Sequence, residues 1–131
     1  MKGFVDDIEE LTKKNADFRR VLYTAKQMQL VLMSLRPGEE IGEEVHPDRD
    51  QFFRVEAGSG EIWIDAVRTQ IHGDMAMIVP AGAGHNVKNT GSEPLKLYTI
   101  YAPPEHADGT VHASKEAAEA SQEHFDGRTT E

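Results

Sequence analysis

The chain has 131 residues, a formal net charge of −9 and no cysteine. That length suits one domain, residues 1–131, with a core of useful size. The missing cysteines exclude disulfides, thiolate ligands and a thiol nucleophile. An acidic chain without a basic cluster is a poor match for a phosphate backbone, so nucleic acid is not an expected partner.

No run of about 18 apolar residues exists, so no membrane-spanning helix is expected. The opening "MKGFVDDIEE" lacks the apolar stretch of a signal peptide, which makes the cytoplasm the expected compartment. In chain order, "VDDIEELTKKN" places Val5, Ile8 and Leu11 at helical spacing and predicts a short amphipathic helix. From about residue 20 the pattern changes to strands. "RVLYTA" and "QLVLMSL" are apolar and partly β-branched, and "RPGEEIG" interrupts them with turn residues. "QFFRVEAG", "EIWIDAV", "DMAMIVPAG", "HNVKN" and "LKLYTIYA" follow, divided by "GSG", "HGD", "PAGAG" and "TGSEP". Short strands with Gly/Pro punctuation and no helix between them predict an all-β antiparallel sandwich or barrel. After "PPEH" the chain turns polar, and residues 105–131 carry −5 of the net charge. "SKEAAEASQEHF" predicts a terminal helix with Ser114 as its N-cap, and the last five residues are expected to fray. The pairs Met28/Met33 and Met75/Met77 read as core packing.

The stretch "EEVHPDRDQ" raises the functional question. Residues two apart on a strand share a face, so Glu44 and His46 can point together into the interior. Gln51 opens the next strand, on the face of Phe53 and Val55. His85 begins a later strand after the glycine-rich "PAGAG". Carboxylate oxygen, imidazole nitrogen and amide oxygen all serve borderline or hard divalent cations. The alternative is a solvated charged loop. Asp50 beside Gln51 reads either as an acceptor supporting that side chain or as part of a solvated turn. His72 reads as a surface residue, and Tyr98 and Tyr101 as core or interface aromatics. His106 and His112 are spaced for a second metal site but lie past the last core strand.

These residues resemble the two motifs of the cupin family. The first, commonly G-x5-H-x-H-x4-E-x6-G, is similar to "GEEIGEEVHPDRDQFFRVEAG" from Gly38 to Gly58. Glu44 and His46 fall at its two histidine positions and Gln51 at its glutamate. The second, G-x5-P-x-G-x2-H-x3-N, is similar to "PAGAGHNVKN" through Pro80, Gly82, His85 and Asn89. Gly73 lies one residue too far from Pro80, and Asp74 stands at the matching position. The resemblance implies a double-stranded β-helix, a jelly-roll barrel over about residues 20–103, with a tail over 104–131. It implies one divalent ion per chain (Mn, Fe, Ni or Zn) held by Glu44, His46, Gln51 and His85. The usual set has one carboxylate and so does this one; the acid has moved from the third ligand to the first. The expected function is a metal-dependent enzyme acting on a small molecule by oxidation or isomerisation, with no catalytic residue assigned. The alternatives are a non-catalytic metal-gated binding module or sensor, and a barrel with a vestigial site. No Arg/Lys cluster for a phosphate is evident in the sequence. A homodimer is expected, because "RVLYTA" and "QLVLMSL" carry more apolar surface than one barrel wall needs inside.

Overall fold

The computed structural model describes all 131 residues. Ten strands are flanked by two short helices: α1 (Ile8–Lys14), β1 (Arg19–Thr24), β2 (Gln29–Leu35), β3 (Glu44–Val45), β4 (Asp50–Ala57), β5 (Ser59–Ile64), β6 (Val67–His72), β7 (Ala76–Val79), β8 (Gly84–Asn89), β9 (Leu95–Ala102), β10 (Val111–His112) and α2 (Lys115–Ala120). A six-stranded sheet runs β10-β1-β2-β9-β4-β7 and faces a four-stranded sheet β3-β8-β5-β6. All pairings are antiparallel. No helix is long and apolar enough to cross a membrane.

Period-two alternation sets what lies between the sheets. Along β9, Leu95, Leu97, Thr99 and Tyr101 are buried while their neighbours are partly exposed. Gln51, Phe53 and Val55 form the buried face of β4, as their spacing predicts. One apolar cluster joins Met33, Leu35, Phe53, Val55 and Leu97 of the larger sheet to Ile62, Ile71 and Val87 of the smaller. The motif residue Asn89 is fully buried and donates from Nδ2 to the carbonyls of Leu35 and Glu93. It therefore ties two strand ends together.

Two motif positions have a backbone reason. Gly58 sits at φ +87, and a Cβ there would lie 2.6 Å from the Pro94 carbonyl oxygen. Asp74, at the place of the absent motif glycine, takes the left-handed conformation itself (φ 73). Aspartate is among the few non-glycine residues that tolerate this region, so the turn is kept without glycine.

Several expectations need correction. The first helix begins at Ile8, capped by Asp7, whose carboxylate accepts from Glu10 N–H; Val5 is outside it and exposed. "EIWIDAV" is not one strand: Asp65 at φ 50 turns β5 into β6. Ser114 does cap α2, but that helix ends at Ala120. Residues 121–125 instead turn back to the fold, where Phe125 N–H donates to Glu105 O and Glu123 meets His106. The last residues are pinned: Thr130 N–H donates to Thr24 O, and Tyr23 O–H donates to Glu131. Met33 and Met77 are core residues, but Met28 is 49% exposed.

Candidate metal centre

The site forms where the two sheets meet at one end of the sandwich. On the smaller sheet Glu44 of β3 lies directly opposite His85 of β8. Val45 between Glu44 and His46 is exposed, so the two flanking side chains turn inward together. The loop that follows is braced: Gly82 N–H donates to His46 O, and Ala81 N–H to Asp50 Oδ1 at 2.9 Å. Asp50 thus anchors the segment leading into His85 and does not support Gln51. Gln51 comes from the facing sheet, opposite Tyr101, and its Nε2 donates to Thr99 Oγ1 at 3.0 Å.

The possible ligand atoms of Glu44, His46 and His85 lie within 4.8 Å of one another. Glu44 Oε2 is 2.9 Å from His46 Nε2. Glu44 is the partner of this buried nitrogen, whereas Gln51 Oε1 is buried with none. Buried polar atoms are nearly always paired, so the unmet Gln51 Oε1 fits a cation. The second imidazole agrees with this. His85 Nδ1 faces the Ala83 carbonyl at 3.3 Å; donating there leaves Nε2 with its lone pair free, the usual arrangement behind a ligating histidine.

Electrostatics supports the same reading. Burial pushes the Glu44 carboxyl up, but contact with His46 and the charges of His46, Arg19 and His85 outweigh it and hold it below the ordinary range. Contact with Glu44 raises the His46 imidazole, against burial. A carboxylate paired with a proton-attracting imidazole is the charge pattern that a divalent ion replaces.

Around this group stand residues that local sequence reading did not assign. Glu105 Oε2 lies 3.5 Å from His46 Nδ1 and 3.0 Å from Arg49 Nε. Tyr101 sets its ring edge-on against His46, centroids 5.8 Å apart, and burial pushes its hydroxyl far above the ordinary range, so it stays protonated. Its oxygen is 3.3 Å from His106 Nε2, while His106 Nδ1 is 2.7 Å from Glu123. His112 Nδ1 is 3.3 Å from Arg19 Nη1. The two late histidines are therefore committed to other partners, and the only grouping of three or more such ligands contains neither. His72 is exposed, as expected.

Two cavities flank the group. One, about 340 Å³, has His85 and Trp63 in its wall with the acids Glu40, Glu43 and Asp65. The other, about 210 Å³, lies between Glu44, Arg19 and α2 and includes Lys115. One cation that the sequence reading did not single out lies here: Arg19 is 8% exposed and lines the second cavity.

Comparison with known proteins agrees with this architecture. Residues 31–101 match the Cupin domain family. The chain is 49% identical to YrkC of Bacillus subtilis over 93% of its own length and 69% of that protein. It is 28% identical to polyketide synthase CurC of Streptomyces cyaneus over 91% of itself and 80% of that protein. The crystal structure of BH2720 from Bacillus halodurans superposes with a TM-score of 0.90 at 48% identity, covering 92% of this chain and 96% of that one. With both motifs folded as a two-sheet barrel around inward Glu44, His46 and His85, the chain belongs to the cupin family.

Proposed function

We propose that Glu44, His46, Gln51 and His85 hold one divalent cation, and that the protein is a metal-dependent enzyme acting on a small molecule by oxidation or isomerisation. The observation that carries this is the convergence of the Glu44, His46 and His85 ligand atoms within 4.8 Å of one another, with Gln51 Oε1 of the facing sheet buried and unpartnered. A hard-to-borderline ion such as Mn, Fe, Ni or Zn suits two oxygens and two nitrogens, and when bound it supplies Lewis acidity or a site for dioxygen.

The chain's own residues prepare the place. Glu105 faces Nδ1 of His46 and orients the ring, with Arg49 holding Glu105 in turn. Ala83 O fixes the tautomer of His85. Thr99 orients Gln51 by accepting from its amide, which directs Oε1 away from that contact. Residues 105–123 fold beside the site, latched through His106 and Glu123. A relative that bears a polyketide synthase name supports small-molecule metabolism over a structural role.

Elemental analysis of purified wild type and His85→Ala, before and after loading with Mn(II) or Zn(II), tests the ligand set. The expected result is about one ion per wild-type chain and almost none in the variant. Full occupancy in His85→Ala overturns it. Turnover or oxygen uptake across a metabolite panel then separates an enzyme from a metal-gated binding module.

A further inference from the structure

One buried cation beside this centre has no role in the ligand set. Arg19, at the start of β1, is 8% exposed. Its Nη1 donates to His112 Nδ1 at 3.3 Å, and its Cζ lies 5.3 Å from the centre of the Phe18 ring. Burial and the charge of Arg19 depress the His112 imidazole, which suits His112 as a neutral acceptor. Arg19 Nε, however, is fully buried and has no partner at all. The nearby acids are engaged elsewhere: Glu44 with His46, Glu105 with Arg49, Glu123 with His106. With Nη1 turned to His112 and Nε enclosed by the protein, Nη2 is the guanidinium nitrogen left for an anionic oxygen in the cavity that Arg19 lines. A carboxylate supplies that acceptor.

The cavity gives the acceptor a place. Arg19 and Glu44 line the same space of about 210 Å³, with Phe18 and Ile41 as apolar walls and Lys115 on α2. Lys115 Nζ is 3.8 Å from Glu119, a long pairing that leaves part of its charge available. The volume is below the about 300–1,000 Å³ of drug-sized pockets, so the occupant has only a few carbons. The cavity on the other side of His85 is lined by Glu40, Glu43 and Asp65 and repels an anion.

We infer that Arg19 anchors the carboxylate of a small organic acid whose other end reaches the centre at Glu44. This deepens the proposed function and rests on it for the metal contact alone. Calorimetry on the Mn(II)-loaded protein, with pyruvate, malonate and succinate against the corresponding amides, is the test. At least one acid is expected to bind ten-fold or more tightly than its amide. Arg19→Gln is expected to lose that preference with Mn(II) content unchanged, and Arg19→Lys to keep part of it. Lys115→Gln, at a half-buried position in the cavity wall, weakens the acid a few-fold, which decides the matter if Arg19→Gln does not fold. Equal binding of acid and amide, no binding of either, or an undiminished preference in Arg19→Gln overturns the inference. If wild type takes up no Mn(II), the ligand set fails, and the acid–amide comparison on the metal-free protein still decides the role of Arg19.

Discussion

At the scale of single residues, the proposed ligand Gln51 carries a cost to folding. Its Oε1 is buried without a partner, and an unmet buried acceptor costs about 1–3 kcal/mol. Without metal, that cost is borne by the fold. Gln51→Leu should therefore leave the metal-free protein at least as stable as wild type, since Thr99 Oγ1 keeps its bond to the Phe52 carbonyl. The same change should weaken Mn(II) or Zn(II) binding. Glu44→Gln removes the only anionic ligand and should cost ten-fold or more in affinity. Urea melts of the metal-free forms and direct metal titrations check both. Equal metal dissociation constants for wild type and Glu44→Gln would return "EEVHPDRDQ" to a solvated loop.

At the scale of elements, the long strands were legible because alternation and turn residues are local signals. β2 and β9 match their sequence segments in full, and the inward sets of β4 and β9 follow from spacing. The β5–β6 turn was missed because Asp65-Ala66 lacks the glycine or asparagine that usually marks one. Glu44, His46 and His85 were legible through motif spacing; Arg19, Glu105 and Tyr101 were not, because only long-range pairing brings them to the site. The same holds for the tail. Its helix is short since Glu123 has a better use: Oε1 lies 2.7 Å from His106 Nδ1 and Oε2 accepts from Ala107 N–H. Burial pushes this carboxyl up, yet those contacts bring it from 4.5 to about 2. A depressed folded-state value stabilises above the unfolded value and is lost as pH falls from 4.5 through 2. Thermal melts of the metal-free protein across about pH 3 to 7 should show a shallower acid loss in Glu123→Gln than in wild type. Parallel profiles would show that the latch is not an acid-sensitive tie.

At the scale of the whole molecule, the outer face of the six-stranded sheet is the feature a lone chain does not explain. Cross-strand register puts Leu30 opposite Ile100, Ile100 opposite Phe52, and Phe52 opposite Ile78. That is an apolar row across four strands, on the side away from the core. It ends at Ile78, 66% exposed, on the edge strand β7. Beside it Phe4, Tyr23, Met28 and Leu30 line an apolar groove of about 260 Å³. The amino-terminal segment lies on its own chain there, with the Phe4 ring 6.4 Å from Tyr23. Scattered exposed apolar residues are ordinary, but a contiguous row marks a contact surface. We propose that a second copy of the chain covers this face. A stable pairing needs about 800 Å² per partner, roughly a ninth of the 7071 Å² surface. The candidate site lies at the end of the sandwich, so the pairing leaves it free. Sedimentation at micromolar concentration should give about 29 kDa, twice the 14.6 kDa chain. Ile78→Asp, at an exposed position that the fold does not need, should shift the protein toward the single-chain mass with its melting temperature in dilute solution little changed. Wild type sedimenting as one chain would remove the dimer, and an intact dimer in Ile78→Asp would move the interface to another face.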